Sequence, residues 1–341
     1  MTLALAAPVG RPNLQLGAVL ILVMTIGMLA NGGRIIDDDV ERLFCVVRGV
    51  CALGSVPSER QFLFEAILPN AFGAALETIG LRGLALISAW IIAGYGLLAF
   101  VAVRAAQRGA ITFSALALVA VISRIPELGY NWIGKPDVYL LAMLLGMAVE
   151  ERGWKRNAFA FAAALCHPPI GVLSAAGLAM LEAETPRRFD GALVASAVVG
   201  YLVGKLLLRW EVLGFVGREA FALANIWAIE AQARPYALVF FAGSFSGFAG
   251  AALAGIVPLG SSADFSRAAR ALAALLVFWL FATYLSFDHT RIFSLLSAPL
   301  ALAAMRAFRV ETVSVGALSL ISLIGFAAPQ LDALGVAKCF N

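Results

Sequence analysis

Arg34-Ile-Ile-Asp37-Asp38-Asp39-Val40-Glu41-Arg42 stands directly after the first long apolar segment of the chain. Three consecutive carboxylates repel one another and cannot sit in hydrocarbon, so they project into water, a headgroup layer or a polar cavity. The sequence around them is overwhelmingly apolar. Of 341 residues, 62% are hydrophobic and 13% charged, roughly half the charged share of a soluble domain, and the mean hydropathy is +0.91. The apolar runs are continuous and not alternating, which excludes an outer-membrane barrel and predicts an all-α, polytopic transmembrane helical bundle. Residues 1–341 read as a single transmembrane domain of about ten hydrophobic segments.

Outward from the acidic stretch, residues 14–33 form the first span. No small-residue cleavage site follows its apolar core, so it reads as an uncleaved anchor. Residues 34–82 are too polar to cross. Val40, Leu43, Phe44, Val46, Val47 and Val50 recur at helical spacing and predict a helix lying along the interface. A second interfacial piece is predicted over 62–76, with Pro57 and Pro69 breaking the run. Further spans are predicted at 84–103, 111–123, 138–149, 191–208, 236–258, 271–286, 292–304 and 312–328. Those of about thirteen residues reach only ~20 Å as helix, so neighbours must shelter them or a cavity must border them. Residues 157–181 are apolar but discontinuous, broken by Cys166-His167-Pro168-Pro169.

The basic residues of the short connections set the orientation. If 157–181 is a hairpin with His167-Pro168-Pro169 at its tip, 12 of the 25 basic residues fall on one side, among them Arg104, Arg108, Arg152, Lys155, Arg156, Arg267, Arg270 and Arg306. If it crosses once, Arg267, Arg270 and Arg306 move to the opposite face. The hairpin is the expected arrangement, because it keeps the basic set on the cytoplasmic side. Both histidines then lie outside, in long connections of mixed charge, and loops of that kind carry chemistry.

A first span followed at once by acidic residues, then interfacial helices in a long outer loop, then short discontinuous spans, resembles the GT-C glycosyltransferases and the bacterial polysaccharide polymerases similar to them. The resemblance covers most of the chain in layout, and Asp37-Asp38-Asp39 occupies the position of the family's catalytic acid. The family's usual Asp-Glu pair with a nearby tyrosine is absent. Asp288-His289-Thr290-Arg291 is similar to charged patches at the outer ends of late helices in such polymerases. The resemblance implies a bacterial inner-membrane enzyme whose active face is extracytoplasmic. It would pass a sugar from a polyprenyl-phosphate-linked donor to a glycan acceptor, with membrane lipid as its surroundings.

Each candidate has a functional and a structural reading. Asp38-x-x-Glu41 fits a capping box, which would use one aspartate and leave Asp37 or Asp39 as the general base. Lys135 can meet an anionic phosphate, or Gly134-Lys135-Pro136-Asp137 can be a turn with Asp137 capping the next helix. His167 beside two prolines borders a cavity, or is a buried neutral histidine bonded to a carbonyl. Asp288, His289 and Arg291 pair among themselves at a helix end, or Arg291 clamps phosphate with its planar fork and His289 donates a hydrogen bond. Lys205 and Arg209, one helical turn apart, bind substrate or anchor a helix end at the headgroups. Replacing Arg291 is expected to change activity while sparing the folded yield.

No cofactor is required by any motif, although three clustered aspartates can hold Mg²⁺ or Mn²⁺ through one or two oxygens. The net charge of +4 carries no nucleic-acid signal. Cys45, Cys51, Cys166 and Cys339 lack metal-site spacing. On one continuous helix Cys45 and Cys51 would face apart, so a bridge to Cys339 is the expected pairing. Two other classes fit the composition: a transporter or lipid flippase gated at His167, and a non-catalytic envelope-assembly subunit. A transporter should show repeated halves with paired broken helices, and only one broken helix is legible.

Overall fold

The computed structural model describes residues 44–52, 63–109, 119, 136–183, 189–211, 218–253, 262–286, 289–307, 330–332 and 335–337. The first span, the acidic stretch and the segments at 111–118, 120–123 and 312–328 lie outside them. The described chain is helical: α1 Ile67–Thr78, α2 Gly83–Gln107, α3 Asp137–Val149, α4 Trp154–Cys166, α5 Pro168–Glu182, α6 Gly191–Glu211, α7 Arg218–Ala224, α8 Ile226–Ala233, α9 Ala237–Leu253, α10 Ser262–Tyr284 and α11 His289–Ala307. The all-α expectation holds for the bundle, and one short antiparallel hairpin, β1 Gln330–Asp332 with β2 Gly335–Ala337, follows it.

Three described helices are long and apolar enough to cross a membrane: Gly83–Gln107, Gly191–Leu208 and Asp264–Tyr284. Only 22–33% of each apolar window is buried inside the protein. Ile92 and Phe100 on α2, Leu202 and Leu206 on α6, and Leu272 and Val277 on α10 therefore face outward. Such a continuous apolar surface fits hydrocarbon and not water.

α3 is different. Every one of its 13 residues except Leu145 is buried, between α2, α4, α5 and α11. A helix of this length is too short to cross alone, and here the longer helices surround it. Apolar burial gives little drive for association inside lipid, so contact rests on close packing. α6 supplies it through Gly200-x-x-x-Gly204: a Cβ at Gly200 would lie 2.5 Å from the Phe161 carbonyl oxygen of α4. This small-residue spacing was present in the sequence and marks the α4–α6 contact.

Side-chain bonds show which helix ends lie together. Arg156 at the start of α4 is buried, donates from Nε to the Met147 carbonyl near the end of α3 at 2.9 Å, and grips Glu182 at the end of α5 at 2.7 and 2.8 Å. The start of α4 and the end of α5 are thus neighbours, so the chain reverses between them, at His167. Asp190 also meets Arg156, at 3.4 Å, and accepts from the Leu193 N–H at 3.2 Å, capping α6 at that end. Arg108 at the end of α2 pairs with Glu150 after α3, Arg306 on the last turn of α11 donates to the Ala148 carbonyl, and Arg270 on α10 reaches the Leu181 carbonyl. Basic side chains predicted to share a side accordingly gather at one end of the bundle, here termed the basic end. α2, α3 and α11 finish there; α4, α6 and α10 start there.

Three local expectations are corrected. Pro69 does not break a helix: α1 starts at Ile67 and Pro69 occupies its first turn, where a missing N–H costs nothing. The helix predicted through Val50 ends at Val47, because Gly49 takes φ +70° and turns the chain back. Cys51 N–H then donates to the Cys45 carbonyl at 3.2 Å, the Cα atoms come within 5.3 Å, and the two cysteines form a disulfide. The pairing with Cys339 expected from a continuous helix is replaced by this one. α7 and α8 were not foreseen as helices. α8 leaves Trp227 80% exposed, as an interfacial anchor would.

Candidate functional site

The end opposite the basic one carries a second set of ionisable groups among the described residues. Asp137 opens α3 after Pro136, and Arg291 is the third residue of α11, in its first turn behind His289 and Thr290. Arg291 Nε and Nη2 donate to the two carboxylate oxygens of Asp137 at 2.6 and 2.9 Å, and both side chains are only 7% exposed. Among the described residues Asp137 makes no capping bond to its own helix, so the capping reading is corrected: its carboxylate serves Arg291. A buried charge pair needs such two-pronged geometry, since either partner alone would be stranded in an apolar medium.

His289 is fully buried beside this pair. Its Nδ1 lies 2.7 Å from the Ala282 carbonyl on α10, and its ring is 5.8 Å from that of Phe240 on α9. Arg291 and His289 thereby tie the head of α11 to α3, α10 and α9. His167 is buried in extended backbone between α4 and α5. α3 and α4 each have 13 residues and run in opposite directions, so His167 comes level with the start of α3.

On the flank, Lys205 of α6 pairs with Glu65 and lies 5.6 Å above the Tyr201 ring. Glu65 is fully buried in the turn before α1 and was overlooked in the sequence. Its signal was legible, since a lone carboxylate inside Phe62-Leu-Phe-Glu65-Ala-Ile-Leu68 demands a cation. Trp90 joins this flank to the centre: its Nε1 donates to the Pro69 carbonyl at 2.8 Å, and the Tyr139 hydroxyl donates to the Trp90 carbonyl at 2.6 Å.

The structure thus brings Asp137, Arg291 and His289 together, with His167 and Lys205 at the same end. Asp37, Asp38, Asp39, Lys135 and Asp288 lie outside the described residues, as does the side chain of Arg209. Among the described residues no group of three or more His, Cys, Asp or Glu side chains could hold a metal ion. No protein-family model, curated protein or solved structure matches this chain.

Proposed function

We propose that this protein is an integral membrane glycosyltransferase or polysaccharide polymerase. It would take a sugar from a polyprenyl-phosphate-linked donor and pass it to an acceptor hydroxyl outside the cytoplasm. The observation that carries the proposal is the buried cluster of Asp137, Arg291 and His289 at the end opposite the basic residues. Ionisable groups inside an apolar bundle are costly and mark functional sites by default.

Two features support the orientation. The basic end belongs in the cytoplasm by the positive-inside rule. The Cys45–Cys51 disulfide belongs on an oxidising side, and Phe44 beside it packs against Trp90, toward the start of α2. The reversal at His167 makes α4 and α5 a re-entrant pair that approaches the outer face without crossing it. About ten segments, with 14–33, 111–123 and 312–328 as spans, complete the bundle in this reading.

In the proposed step, Asp37 or Asp39 accepts the proton of the acceptor hydroxyl as its oxygen attacks the sugar C1, and the C1–O bond to the carrier phosphate breaks. Charge grows on the departing phosphate. Arg291, oriented by Asp137, and Lys135 stabilise that charge best where water is excluded. The test is glycan formation by Asp37→Asn, Asp39→Asn and the double variant. General-base loss lowers turnover by roughly two to four orders of magnitude. Full activity in all three would overturn the reading.

One observation favours a non-catalytic assembly subunit instead: Arg291 and Lys205 each hold a buried carboxylate, as structural locks do. Asp137→Leu combined with Arg291→Met separates the two, since a lock is replaceable by apolar side chains and a phosphate-stabilising arginine is not.

A further inference from the structure

At the basic end a cavity of about 370 Å³ opens between α2, α3 and α4. Its walls are Phe100 and Val101 of α2, Met143 of α3, and Phe159 of α4, and its mouth carries Arg104 and Lys155. Arg108 and Glu150 also border it, but they neutralise each other in a salt bridge. Arg104 and Lys155 have no carboxylate partner among the described residues. Each instead lies over a ring, Arg104 5.9 Å from the centre of Phe100 and Lys155 5.8 Å from that of Trp154. Phe100 is 59% exposed and Trp154 75%, so the mouth opens on the outer surface of the bundle.

An apolar slot with two uncompensated cations and a tryptophan at its rim has the complement of one ligand class. Acyl chains fit the slot, a phosphate fits between the cations, and tryptophan sits at headgroup depth. We infer that this cavity is a binding site for an anionic glycerophospholipid of the cytoplasmic leaflet, held by Arg104 and Lys155 at the headgroup and by Phe100, Met143 and Phe159 along the chains. A zwitterionic lipid would bring its own cation against Arg104 and Lys155. Free phosphate would leave the apolar walls empty. The site is separate from the proposed chemistry, which lies at the other end of α3.

The test uses the full chain in nanodiscs of defined lipid. Phosphatidylglycerol or phosphatidylcholine brominated on the acyl chain quenches a nearby indole, and the Trp154 signal is the difference between the protein and its Trp154→Phe variant. Phosphatidylglycerol should quench Trp154 at several-fold lower mole fraction than phosphatidylcholine. Arg104→Gln with Lys155→Gln should abolish the preference, at roughly fivefold per cation. Arg267→Gln, a basic residue at the same end outside the cavity, should leave it intact. Quenching of Trp154 retained by Ala158→Phe, which fills the mouth from α4, would place the lipid elsewhere and overturn the proposal. Equal quenching by both lipids, equal loss in Arg267→Gln, or displacement by millimolar inorganic phosphate would also overturn it.

Discussion

Arg291 grips Asp137 across 154 residues of sequence, so the first turn of α11 and the first turn of α3 are locked in one register by two parallel bonds of 2.6 and 2.9 Å. At the far ends of the same helices, Arg306 donates to the Ala148 carbonyl at 2.6 Å. α3 and α11 are thereby fastened at both ends, and a short buried helix cannot slide along its partner.

The first prediction follows from that pair. Asp137→Asn or Arg291→Ala strands one buried charge and should lower unfolding stability by about 3–5 kcal/mol, with a matching fall in folded yield. Stability should return to within about 1 kcal/mol in Asp137→Leu/Arg291→Met, where both charges are gone. Detergent-titrated unfolding of the four proteins ranks them. The expectation that Arg291 replacements spare the folded yield is revised on this ground, so activity losses at Arg291 must be read against the double variant.

Much of the bundle was legible because its physics is local. Hydropathy located α2, α6 and α10, although α10 begins at Ser262, nine residues before the predicted start, since Arg267 and Arg270 can lie along the basic end. The two prolines after His167 fall in the first turn of α5. The partner of Arg291 was not, because nothing in a sequence ties Asp137 to a residue 154 positions later. Glu65 needed the same kind of distant partner, Lys205. The Cys45–Cys51 bond turned on one backbone angle at Gly49, which the apolar periodicity through Val50 concealed. The acidic cluster lies outside the described residues, and only the proposal joins it to Arg291.

A second prediction concerns Arg156, which is 2% exposed and bonds Met147, Glu182 and Asp190 from three other segments. Lysine cannot reproduce the fork that meets both Glu182 oxygens. Arg156→Lys and Arg156→Met should each destabilise by several kcal/mol, on the scale of ~3–5 kcal/mol for a broken buried pair. Glu182→Gln, on a partly exposed carboxylate, should cost less. Thermal unfolding in one detergent, with Arg267→Gln at the looser 3.4 Å pair with Asp264 as the control, ranks the four.

The third concerns the reversal at His167. A Cβ at Gly171 would lie 2.5 Å from the Ala164 backbone nitrogen, and main chain cannot rotate out of the way. Gly171→Ala should therefore push α5 off α4 and destabilise by about 1–3 kcal/mol, as overpacking does. Gly191→Ala meets nothing within 4 Å and should be near neutral. Equal tolerance of alanine at both positions would mean that the two helices are not packed as a hairpin.

The last prediction joins the disulfide to the orientation. Cys45 and Cys51 lie beside Phe44, whose ring is 5.6 Å from Trp90, and Trp90 sits about two turns below the start of α2. The bond is therefore at the histidine end. Disulfides persist where the surroundings oxidise, so an intact bond in native membranes requires that end to face outside. Peptide mapping without reductant should recover Cys45 linked to Cys51, and Cys51→Ser should leave Cys45 open to alkylation. In a Cys339→Ser background, an impermeant maleimide added from outside should then label Leu285→Cys after α10 and spare Trp154→Cys at the basic end. Both positions are exposed, so burial does not decide the result. If Trp154→Cys labels and Leu285→Cys does not, the basic residues face outward against their usual preference, and the proposed site lies in the reducing compartment where Cys45 and Cys51 would be thiols.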